Sequence, residues 1–453
     1  MRKIILFIMV GFFVTGLAVT NTWAKLNPEE AARLGKDLTP LGAEKAGNAD
    51  GTIPAWEEGI ITPPAGYEPG MHHLDPFAKD QVQYTINAAN MNQYSDKLTE
   101  GHKAMLKAMD TYKMNVYPTR RSASVPQRIY DATIKNVATA ELVEGGNGVT
   151  GSVIGIPFPI PKNGLEAIWN SLLKYKGDSL ERKYAKFPVT RGGSYEKGFI
   201  HGKNLFLYHR KGATEEKLNN LIFVRLALTL GPPRNAGKAV VIHETLDQEK
   251  ESRKAWSYKP GQRRVLRAPD MGFDNPNEGS DGIIVTDQID MYNGSPQRYE
   301  WNLVGKKEII VPYNSYKLHS GDLKYKDILQ KRHINPELAR YELHRVWVID
   351  ATLKQGTRHI YKRRTFYIDE DSWQILAVDC YDNRDQLWKL QEAPVVNYYD
   401  VPAFMPTFEL TYDFQSGRYN VFGVHNEENE YIFNKKMSPR IFTPAALRRM
   451  GTR

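Results

Sequence analysis

From about Ile129 to its C-terminus the chain is a series of short segments rich in Val, Ile, Tyr, Phe and Trp. These segments are separated by Gly, Pro, Asn and Asp. Short apolar segments bounded by turn residues are typical of antiparallel β-structure. Because strands do not alternate regularly with helices in this pattern, the doubly wound α/β class is disfavoured. We predict an α+β, mainly β fold, whose wide twisted sheet must close, stack or wrap around other elements.

Two stretches show the strand pattern most clearly. In the first, Trp256 and Tyr258 fall on one face of a strand, Pro260-Gly261 suits a turn, and Val265 opens the return strand. The second stretch, residues 345–382, reads as three strands with an acidic turn between the last two. Both stretches therefore predict antiparallel hairpins.

The part of the mature chain before residue 129 follows a different pattern. Residues 34–56 are rich in Gly, Pro, Asn and Asp, which predicts a loop-rich strap across the surface of the body. The strap could cover a cavity mouth or bind a partner, or it could complete a sheet edge. Apolar residues recur at helical spacing over 80–112, and again at 164–175 and 214–230. We therefore expect an N-terminal extension of loops and helices.

The first residues carry the pattern of a secretory signal peptide. Arg2 and Lys3 precede an apolar run from Ile4 to Val19, and Ala24 is a small residue suited to cleavage. The run is too short for a bilayer span of about 20 residues. We predict a cleaved signal peptide at 1–24, an N-terminal segment at 25–128 and a β domain at 129–453. The mature chain is expected to be exported, without an integral membrane span.

Charge and cysteine content exclude some classes of protein. The formal net charge of +9 is a mild bias for 453 residues, and alternation along a strand would split the basic cluster at 362–364 between two faces. We therefore predict no nucleic-acid partner, since a binding groove needs a coherent basic stripe. Cys380 is the only cysteine, so no internal disulfide can form, and a buried hydrophobic role is expected for it.

The sequence lacks the common local signatures of enzymes. GxSxG, HExxH, paired CxxC and Walker motifs are all absent from it. His72 and His73 are adjacent in a loop beside Pro69 and Gly70, so their side chains should diverge and face solvent. We predict no catalytic residues, no metal site and no cofactor. An enzyme acting on lipids or glycans is a less favoured alternative, because dispersed Asp, Glu and His can meet in a fold.

Aromatic residues are abundant, with 8 Trp, 25 Tyr and 17 Phe. Several recur in strand segments, where ordinary cross-strand packing explains any single one of them. Together they could line an apolar cavity with polar groups at its mouth. The candidate ligand-binding residues are Trp256, Tyr258, Val265, Trp301 and Trp347.

Four long motifs resemble an exported Gram-negative family catalogued as domain of unknown function 1329, often labelled outer-membrane lipoprotein-sorting-like. They occur in order over nearly the whole mature chain: LGKDLTPLGAEKAGNADGTIPAW, AWSYKPGQRRVLRAPDMGFDNP, RYEWNLVGKKEIIVPYN and HRVWVIDATLKQGTRHIYKRRTFYIDEDSWQI. The resemblance implies the fold of the lipoprotein carriers Lol-A and Lol-B. In that fold a large curved antiparallel sheet, or half-barrel, wraps around helices and encloses a cavity for acyl chains.

The resemblance also implies a function without catalytic residues. We expect a periplasmic carrier for a lipid or other hydrophobic ligand, working with an inner-membrane exporter of the resistance-nodulation-division type and an outer-membrane protein. The alternative is a non-carrying accessory subunit of an envelope transport complex. The chain lacks the lipobox of Lol-B, so a soluble shuttle is the expected analogue.

Overall fold

The computed structural model describes residues 26–268 and 273–450. Over these ranges the chain forms eight short α-helices and twenty β-strands. The helices are α1 (Pro28–Ala31), α2 (Glu100–Ala108), α3 (Gln127–Asn136), α4 (Gly164–Leu172), α5 (Glu215–Leu218), α6 (Tyr316–His319), α7 (Tyr325–Ile328) and α8 (Pro444–Met450). The strands are β1 (Tyr84–Ile86), β2 (Met114–Val116), β3 (Glu141–Leu142), β4 (Val149–Thr150), β5 (Ser179–Val189), β6 (Gly198–Phe206), β7 (Leu221–Gly231), β8 (Ala239–Thr245), β9 (Lys254–Lys259), β10 (Arg264–Arg267), β11 (Tyr299–Pro312), β12 (Tyr341–Leu353), β13 (Arg363–Asp369), β14 (Ile375–Tyr381), β15 (Leu387–Glu392), β16 (Val395–Tyr398), β17 (Ala403–Pro406), β18 (Glu409–Asp413), β19 (Tyr419–Val424) and β20 (Ile432–Phe433).

Sixteen strands belong to one open sheet. Its order is β1-β2-β12-β13-β14-β15-β18-β19-β5-β6-β7-β8-β9-β10, with β11 paired to β12 and β20 paired to β5. The pairing is antiparallel throughout, except for one short parallel contact between Tyr341 of β12 and Val116 of β2. The predicted large, mainly antiparallel sheet is therefore confirmed.

One face of the sheet, here called the inner face, is covered by α4 and by residues 273–294, here called the inner segment. At Gly164 in α4, an added Cβ atom would lie 2.8 Å from the backbone of Trp301 in β11 and 3.0 Å from Ile349 in β12. A glycine at this position lets the helix lie directly on the strands. The sheet thus wraps around α4, as predicted.

The outer face is covered by other elements. Helix α2 packs against β14 and β15, where the carboxylate of Asp379 accepts hydrogen bonds from the backbone amides of Glu100 and Gly101. Helix α8 packs against β8, β9 and β10 through Leu447, which is fully buried. Because both faces are covered, apolar residues are buried on both sides of many strands.

The strap at residues 34–56 is fixed to the body by directed contacts. The indole of Trp373 donates to the carbonyl of Leu41 at 2.9 Å, and the Arg121 guanidinium donates to the carbonyl of Glu44 at 2.8 Å. Strands β1 and β2 then join the sheet next to β12. The segment at 25–128 shares the largest hydrophobic core with the β domain, and the proposed boundary at 128/129 stays a prediction.

Local strand predictions agree with the structure, but two helix predictions do not. The helical pattern over 80–112 holds only in part, since Tyr84–Ile86 form β1 and α2 covers Glu100–Ala108. Residues 254–267 form the hairpin β9–β10, and 345–382 contain the meander β12–β13–β14. The helix predicted over 214–230 is wrong, because only Glu215–Leu218 are helical and Leu221–Gly231 form β7. Both faces of β7 carry apolar residues, so its sequence does not show the alternation of a half-exposed strand. The predicted signal peptide at 1–24 lies outside the described residues.

Candidate ligand cavity

A cavity of about 420 Å³ lies between the inner face of strands β5 to β9, helix α4 and the inner segment. Its volume falls in the range of about 300–1,000 Å³ typical of small-molecule sites. The walls are contributed by alternate residues of each strand, such as Leu180 and Arg182 on β5 and Val240 and Ile242 on β8. One face of a curved sheet therefore forms its floor.

The hollow exists because small side chains occupy the middle of this floor. The register aligns Arg182 of β5 with Gly202 of β6, Gly202 with Ala227 of β7, and Ala227 with Val240 of β8. Gly202 and Ala227 contribute almost no side-chain volume. The larger side chains of neighbouring rows, such as Phe206, stand around this row as walls.

Apolar side chains make up much of the cavity wall. They come from the sheet, from α4 and from the segment between β17 and β19, and they include Trp169, Leu172, Ile200, Phe206, Ile222, Phe223, Met405, Phe408 and Phe422. Burying apolar surface against such walls contributes roughly 25 cal/mol per Å². The cavity can therefore hold the hydrocarbon part of a ligand.

Two arginines on the floor have aromatic partners and no carboxylate partner. The guanidinium of Arg182 lies over the rings of Tyr184 and Tyr431, at 4.6 and 5.3 Å from their centroids. Arg225 donates a hydrogen bond to the Tyr184 hydroxyl at 3.0 Å. Among the described residues, neither arginine forms an ion pair, and Arg182 Nε has no hydrogen-bond partner. These groups retain hydrogen-bonding capacity for an anion.

A third cation, Lys186, follows on the same face of β5. Its ammonium group donates to the backbone carbonyl of Glu278 in the inner segment, and its side chain is buried. Burial lowers the pKa of Lys186 to about 8. Since the ammonium form is still favoured at neutral pH, an anionic ligand beside it would relieve the cost of burying this charge.

The cavity also contains groups whose charges are already balanced. The carboxylate of Asp290 pairs with the ammonium of Lys176 and lies 3.7 Å from that of Lys174. The Glu409 carboxylate accepts hydrogen bonds from the Asp290 amide at 2.9 and 3.0 Å. Burial raises the pKa of Glu409 to about 7. Arg253 pairs with Glu244 at 2.6 Å. These pairs fix the inner segment, whereas no carboxylate among the described residues forms an ion pair with Arg182 or Arg225 at a comparable distance.

Three of the predicted ligand-binding residues lie on the opposite face of the sheet. Ser257 and Lys259 of β9 line the cavity, so alternation directs Trp256 and Tyr258 to the outer face. There they pack with Val265 against α8, together with Leu447. Among the described residues, these three are not part of the cavity wall. Their role in binding a ligand stays a prediction that this cavity does not support.

The other two predicted residues lie on the inner face but away from the cavity. Trp301 packs against Tyr292 and Phe366 below α4, and its indole donates to the carbonyl of Pro296 at 2.8 Å. Trp347 stacks on Trp373, with ring centroids 6.0 Å apart. Both are packed by protein side chains, and a ligand role for either stays a prediction.

The sequence did include one signal for the residues that do line the cavity. Along β5, the residues that share a face are Leu180, Arg182, Tyr184 and Lys186. Arg182 and Lys186 share this face with apolar side chains. Burying a cation is costly, so this pattern indicates that the two cations serve a polar ligand. Aromatic residues are a poor guide to this cavity, because they are buried on both faces of the sheet.

The expected exposure of the adjacent histidines is wrong for one of them. His73 is 3% exposed, and the rings of His72 and His73 both lie near that of His319, with centroid distances of 5.6 and 5.5 Å. The segment around them folds back onto the body, which the local turn residues do not reveal. Cys380 is buried as predicted. Over residues 26–268 and 273–450, no helix combines the length and apolar character needed to cross a bilayer.

Solved structures overlap with this chain only in part. A DUF1329 family protein from Desulfovibrio piger is 14% identical, with a TM-score of 0.42 over 62% of this chain and 95% of that one. A LolA superfamily protein from Nitrosomonas europaea, NE2245, is 12% identical, with a TM-score of 0.37 over 62% of this chain and 98% of that one.

Sequence comparisons cover far more of the chain. The protein named "Uncharacterized protein PA3922" from Pseudomonas aeruginosa is 47% identical over 445 residues, which are 98% of this chain and 98% of that protein. The family described as "Protein of unknown function (DUF1329)" matches residues 85–448. The resemblance seen in the four motifs is thereby confirmed, and the chain belongs to the DUF1329 family.

Proposed function

We propose that the protein is a periplasmic carrier for an amphipathic molecule with an apolar body and an anionic group. The observation that carries this proposal is the cavity of about 420 Å³, whose apolar walls surround Arg182 and Arg225. Each buried methylene of a ligand would contribute about 0.8 kcal/mol to binding. An anionic group would accept hydrogen bonds from the guanidinium groups, which fixes the orientation of the ligand.

Long-chain fatty acids and acylated molecules with an acidic group have this chemistry. A purely apolar ligand would displace water from the two guanidinium groups and Lys186 without supplying an anionic partner. A fully polar ligand would not use the aromatic and aliphatic walls. The ligand class is therefore narrower than the general hydrophobic ligand expected from the sequence.

The compartment and the partners are further parts of the proposal. Export is supported by the signal-peptide pattern at 1–24. The exporter and the outer-membrane protein rest on the family resemblance alone. Docking to such a partner would release the ligand only if the partner binds the ligand-free form of the carrier more tightly.

The proposal is tested by filling the cavity from one strand. Ala227 faces the cavity, whereas Leu228 is directed to the outer face beside the cluster covered by α8. In the delipidated protein, Ala227→Trp should weaken binding of a fluorescent fatty acid at least tenfold. Leu228→Trp adds a ring on the other face of the same strand and should leave the affinity within twofold of the wild type.

Equal affinities of the wild type and Ala227→Trp would contradict binding in this cavity. Native mass spectrometry of protein purified from the periplasm supplies a separate measurement, because bound lipid survives as an added mass. If the wild type bound no fatty acid and carried no lipid, the accessory-subunit alternative would be favoured.

A further inference from the structure

Four of the chain's 11 histidines surround one buried carboxylate, that of Glu430. His73, His319 and His425 are 3% exposed or less, and His72 is half-buried. They come from separate elements: the loop before β1, the end of α6 and the turn after β19. Tertiary folding alone brings them together.

Nitrogen and oxygen atoms in this cluster approach closely without pairing as donor and acceptor. The Oε2 atom of Glu430 lies 2.8 Å from Nε2 of His319 and 3.5 Å from Nδ1 of His73, and Oε1 lies 3.2 Å from Nε2 of His425. Among the described residues, none of those three nitrogens, nor Glu430 Oε2, has a partner in hydrogen-bond geometry. A buried polar atom left in this way is unfavourable, so a ligand for these atoms is indicated.

The spacing is that of atoms around a common metal ion. Ligands at 2.0–2.1 Å from a tetrahedral zinc ion lie about 3.3 Å from one another. The lone pairs of such ligand atoms point to the ion. Two ligand atoms can therefore lie close together without the geometry of a hydrogen bond. His73, His319 and Glu430 each offer one such atom, all within 4.8 Å of one another.

The opposite ring nitrogens are held as in known metal sites. Nε2 of His73 is hydrogen-bonded to the Asp400 carboxylate at 2.7 Å, and Nδ1 of His319 to the Thr407 hydroxyl at 2.9 Å. Metal-bound histidines generally use their second nitrogen for such a bond, which fixes the tautomer and the ring orientation. The remaining nitrogens, Nδ1 of His73 and Nε2 of His319, are the two that lie near Oε2 of Glu430.

An ion could reach this cluster from solvent. A cleft of about 640 Å³ is lined by His72 and His73, and also by Asp75 and Asp322. An added Cβ atom at Gly321, on the same wall, would lie 2.7 Å from Nδ1 of His72. Glycine at this position therefore permits the close approach of the ring.

We propose that His73, His319 and Glu430 bind a divalent transition-metal ion such as zinc. His72 and His425 form a second triad with the same carboxylate and surround the ion-binding side of Glu430. Mixed imidazole and carboxylate ligands of this kind suit zinc and its neighbours in the first transition row. None of the three residues His73, His319 and Glu430 lines the ligand cavity, and the metal proposal does not depend on the carrier function.

The test uses the tag-free full-length mature protein, stripped with chelator, incubated with zinc and dialysed. Elemental analysis should find at least one zinc ion per wild-type chain. Glu430→Gln and His319→Gln should each lower this to background. His102→Gln is the matched control, because His102 is a buried histidine with one carboxylate partner, Glu392, at 2.8 Å, and it should retain zinc.

Cobalt(II) binding to the wild type keeps the proposal testable if a variant fails to fold. Bound cobalt should give the strong visible absorption of a four- or five-coordinate ion. The weak spectrum of hydrated cobalt, or background zinc in the wild type, would overturn the proposal. Equal zinc content in a folded Glu430→Gln variant would overturn it as well.

Discussion

The guanidinium of Arg364 on β13 lies 2.9 Å from the carboxylate of Asp287 in the inner segment, and both side chains are almost completely buried. Asp287 is also 3.2 Å from the imidazole of His359. The neighbouring Arg364 charge holds the pKa of the Asp287 carboxyl at about 2, although burial by itself would raise it. This ion pair attaches the wall of the ligand cavity to the centre of the sheet.

Replacing one member of this pair should be strongly destabilising. Asp287→Asn leaves the buried Arg364 charge without compensation, and we expect the free energy of unfolding to fall by about 3–5 kcal/mol. The double variant Asp287→Leu/Arg364→Met should lose less stability than the sum of the losses in Asp287→Leu and in Arg364→Met, because it removes both charges. With the wild type, these three variants form a double-mutant cycle. Urea denaturation of the four proteins measures this coupling.

The neighbouring pair on β13 provides the control. Arg363 lies 3.2 Å from Asp350, and both side chains are 29% exposed. Asp350→Asn should therefore change the free energy of unfolding by about 1 kcal/mol or less. Similar losses for Asp287→Asn and Asp350→Asn would mean that burial does not govern the strength of these pairs.

The affinity for an anionic group should depend on Arg225. Arg225→Met keeps most of the side-chain volume but removes the guanidinium, so the preference for a fatty acid over the corresponding fatty alcohol should fall about tenfold. Calorimetric titration with the two ligands measures this preference. Arg263→Met, at the exposed β9–β10 turn, should leave it unchanged. An unchanged preference in Arg225→Met would assign recognition of the anion to another residue.

Stability should depend on pH through Glu409. Burial raises the pKa of Glu409 to about 7 from its ordinary value near 4.5, so the folded protein favours the protonated form. The stability that the folded protein gains from protonated Glu409 is fully present below pH 4.5 and is lost as the pH rises through 7. Between pH 5 and 8, the free energy of unfolding should fall by about 1–2 kcal/mol less in Glu409→Gln than in the wild type. The full pKa shift corresponds to roughly 3 kcal/mol, and we expect less because Glu409 borders the cavity.

Thermal or urea unfolding at several pH values checks the sign of this effect. Lys174 titrates in the same region, because burial lowers its pKa to about 7 and the Glu409 carboxylate opposes that shift. Removing this carboxylate lowers the pKa of Lys174 further, which flattens the decline in the same direction. Glu300→Gln, at an exposed position of β11, should follow the wild-type profile. A Glu409→Gln profile parallel to that of the wild type would refute the prediction.

The single thiol should be inert in the folded protein. Cys380 is fully buried, and burial raises its pKa to about 12, so very little thiolate forms at pH 8. A thiol-reactive reagent should label it only after unfolding. Ser257→Cys, which introduces a thiol on the cavity wall, should react in the native state and be protected by a bound fatty acid. Failure of the fatty acid to protect this thiol would argue against occupancy of the cavity.

Local sequence patterns predicted the strands well because they depend on neighbouring residues. The hairpin around Pro260-Gly261 and the meander through residues 345–382 were found from alternation and turn residues. Alternation places residues on two faces but does not say which face is the inner one. Alternation puts Trp256 and Ser257 on opposite faces, and only the packed structure shows that Ser257 faces the cavity.

The remaining features depend on contacts that no local pattern contains. Helix α8 covers the outer face of β9, so aromatic residues are buried there as well as on the inner face. The cluster around Glu430 joins His73, His319 and His425 from three distant parts of the chain. Such residues converge only after the strands have paired, and their spacing in the sequence follows no metal-binding motif.

The strand order has a consequence for how the chain must fold. Strands β5 to β10 form one meander and β11 to β15 belong largely to another, and the two halves meet where Tyr419 of β19 pairs with Val189 of β5. These residues are far apart in the chain, so closing this seam carries a large loop entropy that local hairpins do not. Pairing of β5 with β19 should therefore limit the rate of folding. In newly made chains, the β19 edge of β5 should stay unpaired until the C-terminal part of the chain is available.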